Sequence, residues 1–157
     1  MQLKRSILGL LVTTFVLDRF LPYQLAVAAG RTSREFSGLY RDRFGIGIAE
    51  WRVVAHLSQG GSVSVREIFE RVDMDKSRVS RAAARLEASG YVLKRVNETD
   101  RRLVELSLTD KGRQMMDEIA QMAEAYEADL AQRLGSNSKA FRAGLETIFH
   151  ATEGNSS

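Results

Sequence analysis

The stretch DKSRVSRAAARLEASGYVLKRVNETDRR, Asp75 to Arg102, decides the fold of this chain. Its pattern predicts a helix, then a strand and then a charged hairpin tip. These 28 residues hold eight Lys and Arg against four Asp and Glu, a net charge of +4, whereas the whole chain carries +3. A local basic excess on a helix and an adjoining hairpin is typical of proteins that bind DNA.

The helix of this stretch has two different faces. At about 100° per residue, apolar residues fall on one side and short polar residues with arginines on the other. The apolar set is Val79, Ala82, Ala83 and Leu86, and the opposite set is Ser77, Ser80, Arg81, Ala84 and Arg85. Short side chains let a helix lie deep in a major groove, where arginine can bond guanine bidentately and serine can bond bases or phosphates. A merely solvated face would instead carry Glu and Lys at i, i+4.

A second, shorter helix precedes this one. Ser64 and Glu67 form a capping box, and the apolar residues that follow at helical spacing are Val65, Ile68, Phe69 and Val72. A tight turn at Asp73-Met74 leads to Asp75, the expected N-cap of the next helix. Two helices joined this tightly predict a helix-turn-helix.

A hairpin follows the second helix. The segments 91–96 and 102–108 predict two strands around a turn at residues 97–100. The basic side chains that this hairpin presents are Lys94, Arg95, Arg101 and Arg102. An arginine of such a hairpin can enter the neighbouring minor groove, where the negative potential favours it. Asp100 is expected to brace a neighbouring arginine rather than to act as a catalytic acid.

Long helices flank this central part. We expect one from Pro22 to about Phe44, a second over 47–58 with Glu50 at its third position, a long helix from Thr109 to Leu134, and a final helix over 137–151. The apolar stripe between Thr109 and Leu134 is too long for a small central domain to cover. Its expected cover is the matching helices of a second copy.

Composition narrows the function classes. The 157 residues are 44% hydrophobic and 27% charged, with no Cys and two His. We find no Ser–His–acid order, phosphate loop or carboxylate pair, so an enzyme is not expected. The isolated His56 and His150 predict no metal site, and no cofactor is expected.

The N-terminus has the outline of a signal peptide. Lys4 and Arg5 precede an apolar run, Ser6 to Leu17, and Ala26-Val27-Ala28 resembles a cleavage site. However, Asp18 and Arg19 follow the run, which is also too short to span a bilayer. We therefore expect an apolar helical arm on a cytoplasmic protein with no membrane partner.

Four segments in this order resemble the MarR family of winged helix-turn-helix regulators. They are EWRVVAHL (50–57), DKSRVSRAAARLEASGYVLKR (75–95), TDRR (99–102) and LTDKGR (108–113). The resemblance covers roughly residues 17–149. It implies a mainly α fold with a small β-hairpin wing, divided into an N-terminal arm and dimerisation helix (1–44), a DNA-binding lobe (45–108) and C-terminal dimerisation helices (109–157).

The resemblance also implies a function. It predicts a homodimer, most often a repressor, that binds a pseudo-palindromic operator in double-stranded DNA. The DNA contacts it implies are Lys76, Ser77, Arg78, Ser80, Arg81, Arg85, Arg95, Arg101 and Arg102. Many members release DNA when a small aromatic compound binds between the dimer helices and the lobe.

For that effector site the candidates are Tyr40, Trp51, Arg52 and His56. Trp51 and Tyr40 are more often core residues than ligand contacts, and an ion pair with an acid is an alternative role for Arg52. The absence of Cys argues against the peroxide-sensing branch of the family. Two alternatives stay open: a winged-helix regulator without a ligand response, and a winged helix that binds proteins instead of DNA.

Overall fold

The structure, a computed structural model, describes residues 14–72 and 74–153. Asp73 of the expected turn and the greater part of the expected N-terminal arm lie outside those residues. Contacts divide the chain into two compact units, Met1–Ser33 and Arg34–Ser157. Each unit is described by itself.

Six α-helices and three short strands make up most of the described residues. The helices are α1 (Leu21–Phe44), α2 (Ile48–Gly60), α3 (Val65–Arg71), α4 (Lys76–Ala88), α5 (Asp110–Leu134) and α6 (Ser138–Glu153), and the strands are β1 (Val63–Ser64), β2 (Val92–Val96) and β3 (Val104–Leu108). This arrangement confirms the expected fold class, which is mainly α with a small β-hairpin wing. β2 begins one residue later than the sequence predicts and β3 begins two residues later. Before β3, Leu103 still belongs to the turn, since it donates its N–H to the Asp100 carbonyl (2.9 Å).

Side-chain caps start three of the helices, as their sequences predict. The Ser64 hydroxyl accepts from the Glu67 N–H (3.1 Å), and the Asp75 carboxylate accepts from the Arg78 N–H (2.8 Å). The Thr109 hydroxyl accepts from the Gly112 N–H (3.0 Å). Each cap satisfies a backbone donor that the helix itself leaves unpaired.

The sheet contains a strand that the sequence did not reveal. Its order is β1-β3-β2, with both pairs antiparallel. In β1, Val63 pairs with Leu106 and Ser64 with Glu105. A strand of two residues is too short to show an alternating pattern, and only its partner β3 defines it.

The core of the second unit lies where α2, α4, β3 and the start of α5 meet. Its fully buried members include Val53, Val54, Leu57, Ile68, Val79, Leu86, Leu106 and Ile119. Three buried residues of α4 (Val79, Ala82 and Leu86) are at most 1% exposed. The buried side of α4 therefore fixes which side of the helix faces outward.

Three contacts join α1 to α5 within the second unit. Arg43 pairs with Glu118 (3.1 Å), and Glu35 accepts from the Tyr126 hydroxyl (2.9 Å) and from Arg133 (3.0 Å). These hydrogen bonds, that of Tyr126 first, lower the pKa of the Glu35 carboxyl. The contacts hold the part of α1 that belongs to the second unit against α5.

The first unit and the last helix carry exposed apolar side chains. In the first unit a short 3-10 helix, Leu17–Arg19, precedes α1, and Gln24 donates to the Asp18 carbonyl (2.7 Å). The large apolar residues exposed in this unit are Phe15, Val16, Leu17, Phe20, Leu21 and Tyr23. In α6, Phe141 and Phe149 are exposed as well. Both regions therefore have exposed apolar surface that another protein surface could cover.

Candidate nucleic-acid interface

The outward face of α4 carries the basic and hydroxyl side chains that the sequence places there. All six predicted contacts on this helix are exposed: Lys76, Ser77, Arg78, Ser80, Arg81 and Arg85. On the opposite side, Ala82 and Ala83 pack into the core. Glu87 is the only acidic residue within α4, so the outward face carries a strong positive charge. Such a face can bond phosphates and base edges together.

The hairpin tip, which we call the wing (residues 97–103), is ordered by its own polar groups. The side-chain oxygen of Asn97, Oδ1, accepts from the backbone N–H groups of Thr99 (2.8 Å) and Asp100 (2.9 Å). The Asp100 carboxylate accepts from the Arg102 backbone N–H (3.0 Å). Asp100 thus braces an arginine, as expected, through its backbone.

The three predicted DNA contacts on the hairpin lie at different places. Arg101 and Arg102 are exposed in the turn, whereas Arg95 lies on β2 directly across from Glu105 of β3. Glu105 itself accepts from Asn97 (2.5 Å) and from Ser62 of the loop before β1 (3.2 Å). Arg101 and Arg102 are therefore presented by a braced turn, and Arg95 by the strand behind it.

A groove of about 820 Å³ runs between α4 and the wing. Four basic side chains line it, together with hydroxyls from α4 and β1: Arg66, Lys76, Lys94, Arg102, Ser64 and Ser80. Two of the basic residues, Lys94 and Arg66, were not among the predicted contacts. The excess of Lys and Arg along residues 75–102 was a signal for Lys94, but nothing local in the sequence places Arg66 beside the wing.

An ion pair with α2 anchors the last turn of α4, and no local pattern in the sequence predicts it. Arg85 binds through its Nε atom to Oε1 of Glu50, on α2. The Glu50 side chain is 9% exposed, and its other oxygen accepts from the Gly47 N–H (3.1 Å). In the sequence Glu50 looks only like a helix-start carboxylate. Because Arg85 is 35 residues away, only the packing of α2 on α4 reveals their contact.

Three of the four predicted effector residues share one recess. Trp51, Arg52 and His56 line it with Ala55 and Val72, and its volume is about 400 Å³. Aromatic, cationic and imidazole groups around a recess are suited to a small aromatic anion.

Tyr40 does not line that recess. It is fully buried, and its ring contacts Phe36 (5.2 Å between centroids) and Trp51 (5.6 Å). Burial raises the pKa of its hydroxyl to about 12, and that hydroxyl has no hydrogen-bond partner within the described residues. Tyr40 is therefore a core residue behind the recess, with an unsatisfied polar atom.

Comparison with known proteins agrees with this architecture. A family model described as "MarR family" matches residues 44–103, from the end of α1 to the wing. The HTH-type transcriptional repressor MdtR of Bacillus subtilis is 39% identical over 71 residues, which are 45% of this chain and 46% of MdtR. A MarR/EmrR family transcriptional regulator from Acinetobacter sp. ADP1 superimposes with a TM-score of 0.76 at 26% identity, covering 88% of this chain and 97% of that structure.

The chain belongs to the MarR family.

A further structure of similar fold is that of BpsR of Bordetella bronchiseptica, with a TM-score of 0.74 at 20% identity over 87% of this chain and 96% of the BpsR structure. The MarR-family match to MdtR spans about half the length of that relative. Both MdtR and the Acinetobacter protein are regulators of transcription, which agrees with the expectation that this MarR-family chain is not an enzyme.

Two kinds of feature are absent from the part of this MarR-family chain that the structure describes. Across residues 14–72 and 74–153, no three His, Cys, Asp or Glu side chains are grouped so that they could ligate a metal ion. No helix within the same ranges is both long enough and apolar enough to cross a membrane.

Proposed function

We propose that this chain is a transcriptional regulator that binds double-stranded DNA, with α4 in a major groove and the wing at the adjacent minor groove. The observation that carries the proposal is the exposed face of α4, basic and rich in short side chains, beside a groove lined by Lys76 of that helix and by three further basic side chains. Basic groups that line such a groove can neutralise the phosphates of one strand. The hydroxyls and Arg81 can then contact base edges.

The functional unit of this proposal is a homodimer. Its support is the exposed apolar surface on the terminal segments, including Phe20, Phe141 and Phe149. In a symmetric dimer, two α4 helices roughly 34 Å apart would enter successive major grooves on one side of a pseudo-palindromic operator. Repression as the regulatory output stays a prediction.

A titration with duplex DNA tests the DNA-binding proposal. An operator is first selected from random duplexes, and its binding is then followed by fluorescence anisotropy at 50 and 200 mM salt. For about six phosphate contacts, the affinity is expected to fall by roughly a thousandfold between those conditions. If the purified protein binds no duplex in a salt-dependent way, the proposal is wrong and a protein-binding winged helix becomes the better reading.

Arg102→Ala is expected to weaken binding to the selected operator and to random DNA by a similar factor, about fivefold to tenfold, because Arg102 is placed to contact the backbone. The turn itself should persist, since Asp100 holds the backbone N–H of Arg102 and not its side chain. Anisotropy titrations on both duplexes measure this. Arg71→Ala is the matched control, because Arg71 is exposed, pairs with Glu67 and lies outside the groove. A loss confined to the operator would contradict the assignment.

We further propose that a small aromatic ligand in the recess at Trp51 modulates operator affinity. The support is the lining of Trp51, Arg52 and His56, together with the regulation of BpsR DNA binding by 6-hydroxynicotinic acid. Such a ligand changes affinity only as far as it binds the DNA-competent and DNA-free states differently.

Trp51 is the only tryptophan of the chain, so its fluorescence reports directly on the recess. With 6-hydroxynicotinate and hydroxybenzoates as probes, we expect a saturable change in emission and a parallel loss of operator affinity. Trp51→Phe should abolish the optical signal. If none of these probes changes either the emission or the DNA affinity, the chain is better described as a regulator without a ligand response.

A further inference from the structure

Glu50 is a buried acid whose two oxygens serve two different elements. The residue is 7% exposed, Oε2 accepts from the Gly47 N–H at the start of α2, and Oε1 binds Arg85 in the last turn of α4. A Cβ atom on residue 47 would lie 3.0 Å from Oε2, so glycine leaves the carboxylate its place. One carboxylate thus ties the start of α2 to the end of the DNA-facing helix.

Arg85 is held at its inner nitrogen and open at its outer ones. Its side chain is 60% exposed even though Nε is bound to Glu50. Within residues 14–72 and 74–153, its two terminal nitrogens have no other hydrogen bond. Since Ser77, Arg81 and Arg85 follow one another at i, i+4, Arg85 extends the row of donors along the outward face of α4.

We propose that Glu50 is a positioning residue for DNA binding, which orients Arg85 so that its two terminal nitrogens clamp a phosphate at the edge of the major groove. The inference rests on the proposed DNA-binding function. A guanidinium held at Nε presents its outer N–H groups as a planar fork, which matches the oxygens of a phosphate. Arg85 then contacts the backbone, unlike Arg81, which lies nearer the middle of the helix.

Orientation before binding strengthens the contact. A free arginine loses conformational freedom when it binds a phosphate, and one already held by Glu50 loses less. Stability alone is a weak reason for such a pair, because burying a carboxylate is costly and apolar residues of similar size are often as stable. The orientation that the ion pair gives to Arg85 is therefore more informative about its role than the stability that the pair contributes.

If Glu50 positions Arg85, neutralising Glu50 should change operator affinity in the opposite direction from the one that simple electrostatics predicts. Removing a negative charge next to a DNA-binding surface should strengthen binding, because it reduces repulsion of the phosphates. If Glu50 positions Arg85, Glu50→Gln should instead lower operator affinity, by roughly threefold to tenfold. Glu67→Gln is the matched control, since Glu67 occupies the same third helical position in α3 but pairs with Arg71. It should bind the operator as tightly as the wild type or more tightly.

A double-mutant cycle identifies the route of the effect. In an Arg85→Ala background, Glu50→Gln should change operator affinity by less than about twofold, because the residue through which it acts is gone. Arg85→Lys keeps the charge but lacks the fork, and it should lose about as much affinity as Glu50→Gln. Thermal unfolding of every variant without DNA checks that the lobe is folded.

The outcomes separate this inference from the proposed function. Wild-type protein that binds no duplex refutes both. Wild-type binding with unchanged or tighter binding by Glu50→Gln, or with an undiminished loss in the Arg85→Ala background, refutes the positioning role alone. If Glu50→Gln does not fold, Arg85→Lys decides, because Arg85 is largely exposed: unchanged operator affinity overturns the inference, and the expected loss supports it.

Discussion

Gly112→Ala is expected to lower the free energy of unfolding by about 3 kcal/mol or more, because the added methyl group has no space. A Cβ atom at this position would lie 2.1 Å from the carbonyl oxygen of Tyr91 and 3.3 Å from Leu108 Cδ2. The close backbone atom cannot move freely. Thr109 donates its N–H to the same Tyr91 oxygen (3.0 Å) and its hydroxyl to the Gly90 carbonyl (2.7 Å).

Urea unfolding followed by circular dichroism measures this effect. Gly38→Ala is the matched control, since Gly38 lies inside α1 and its Cβ would meet no atom within 4 Å. Because alanine favours a helix over glycine by up to about 1 kcal/mol, this control should be as stable as the wild type or more stable. A Gly112→Ala protein within about 0.5 kcal/mol of the wild type would show that the junction between β2 and α5 yields easily.

Arg81→Ala is expected to reduce binding to the selected operator by roughly tenfold to a hundredfold, while binding to random duplex falls much less. Arg81 is exposed on the outward face of α4, and no salt bridge ties it to another described residue. It is therefore available for a bidentate contact to guanine, which carries sequence information. A phosphate contact, in contrast, would weaken binding to every sequence alike.

The ratio of the affinity for the operator to the affinity for random duplex measures the discrimination. It is obtained by competing labelled operator against unlabelled operator and, separately, against random duplex. Arg71→Ala again serves as the control and should keep the ratio of the wild type. Equal losses on operator and random DNA would assign Arg81 to the phosphate backbone. The ratios must be compared at one salt concentration, because the non-specific affinity depends strongly on it.

Much of the DNA-facing surface could be predicted from the sequence. The buried and outward faces of α4 follow from its period, and three caps mark helix starts at Ser64, Asp75 and Thr109. The turn of the wing is also recognisable in the sequence, although β3 starts later than predicted because Asp100 and Leu103 close the turn by a backbone hydrogen bond. The roles of the individual side chains towards DNA stay predictions.

The expected effector residues show where pattern recognition ends. Trp51, Arg52 and His56 lie on one short helix, so their common recess follows from local geometry. Tyr40 belongs to another helix, and its burial against Phe36 and Trp51 depends on how α1 packs beside α2. A residue type alone cannot distinguish the lining of a recess from the core behind it.

The helices, their caps, the two faces of α4 and the positive charge of residues 75–102 can all be predicted from the amino-acid sequence alone. These features depend on interactions within a few residues, such as a cap three positions away or a face repeated every three to four. Three further features emerge only in the folded chain: Glu50 holds Arg85, Val63 and Ser64 form a third strand, and Gly112 must lack a side chain. Each of these depends on atoms that are distant in sequence and meet only when the helices and the sheet pack together.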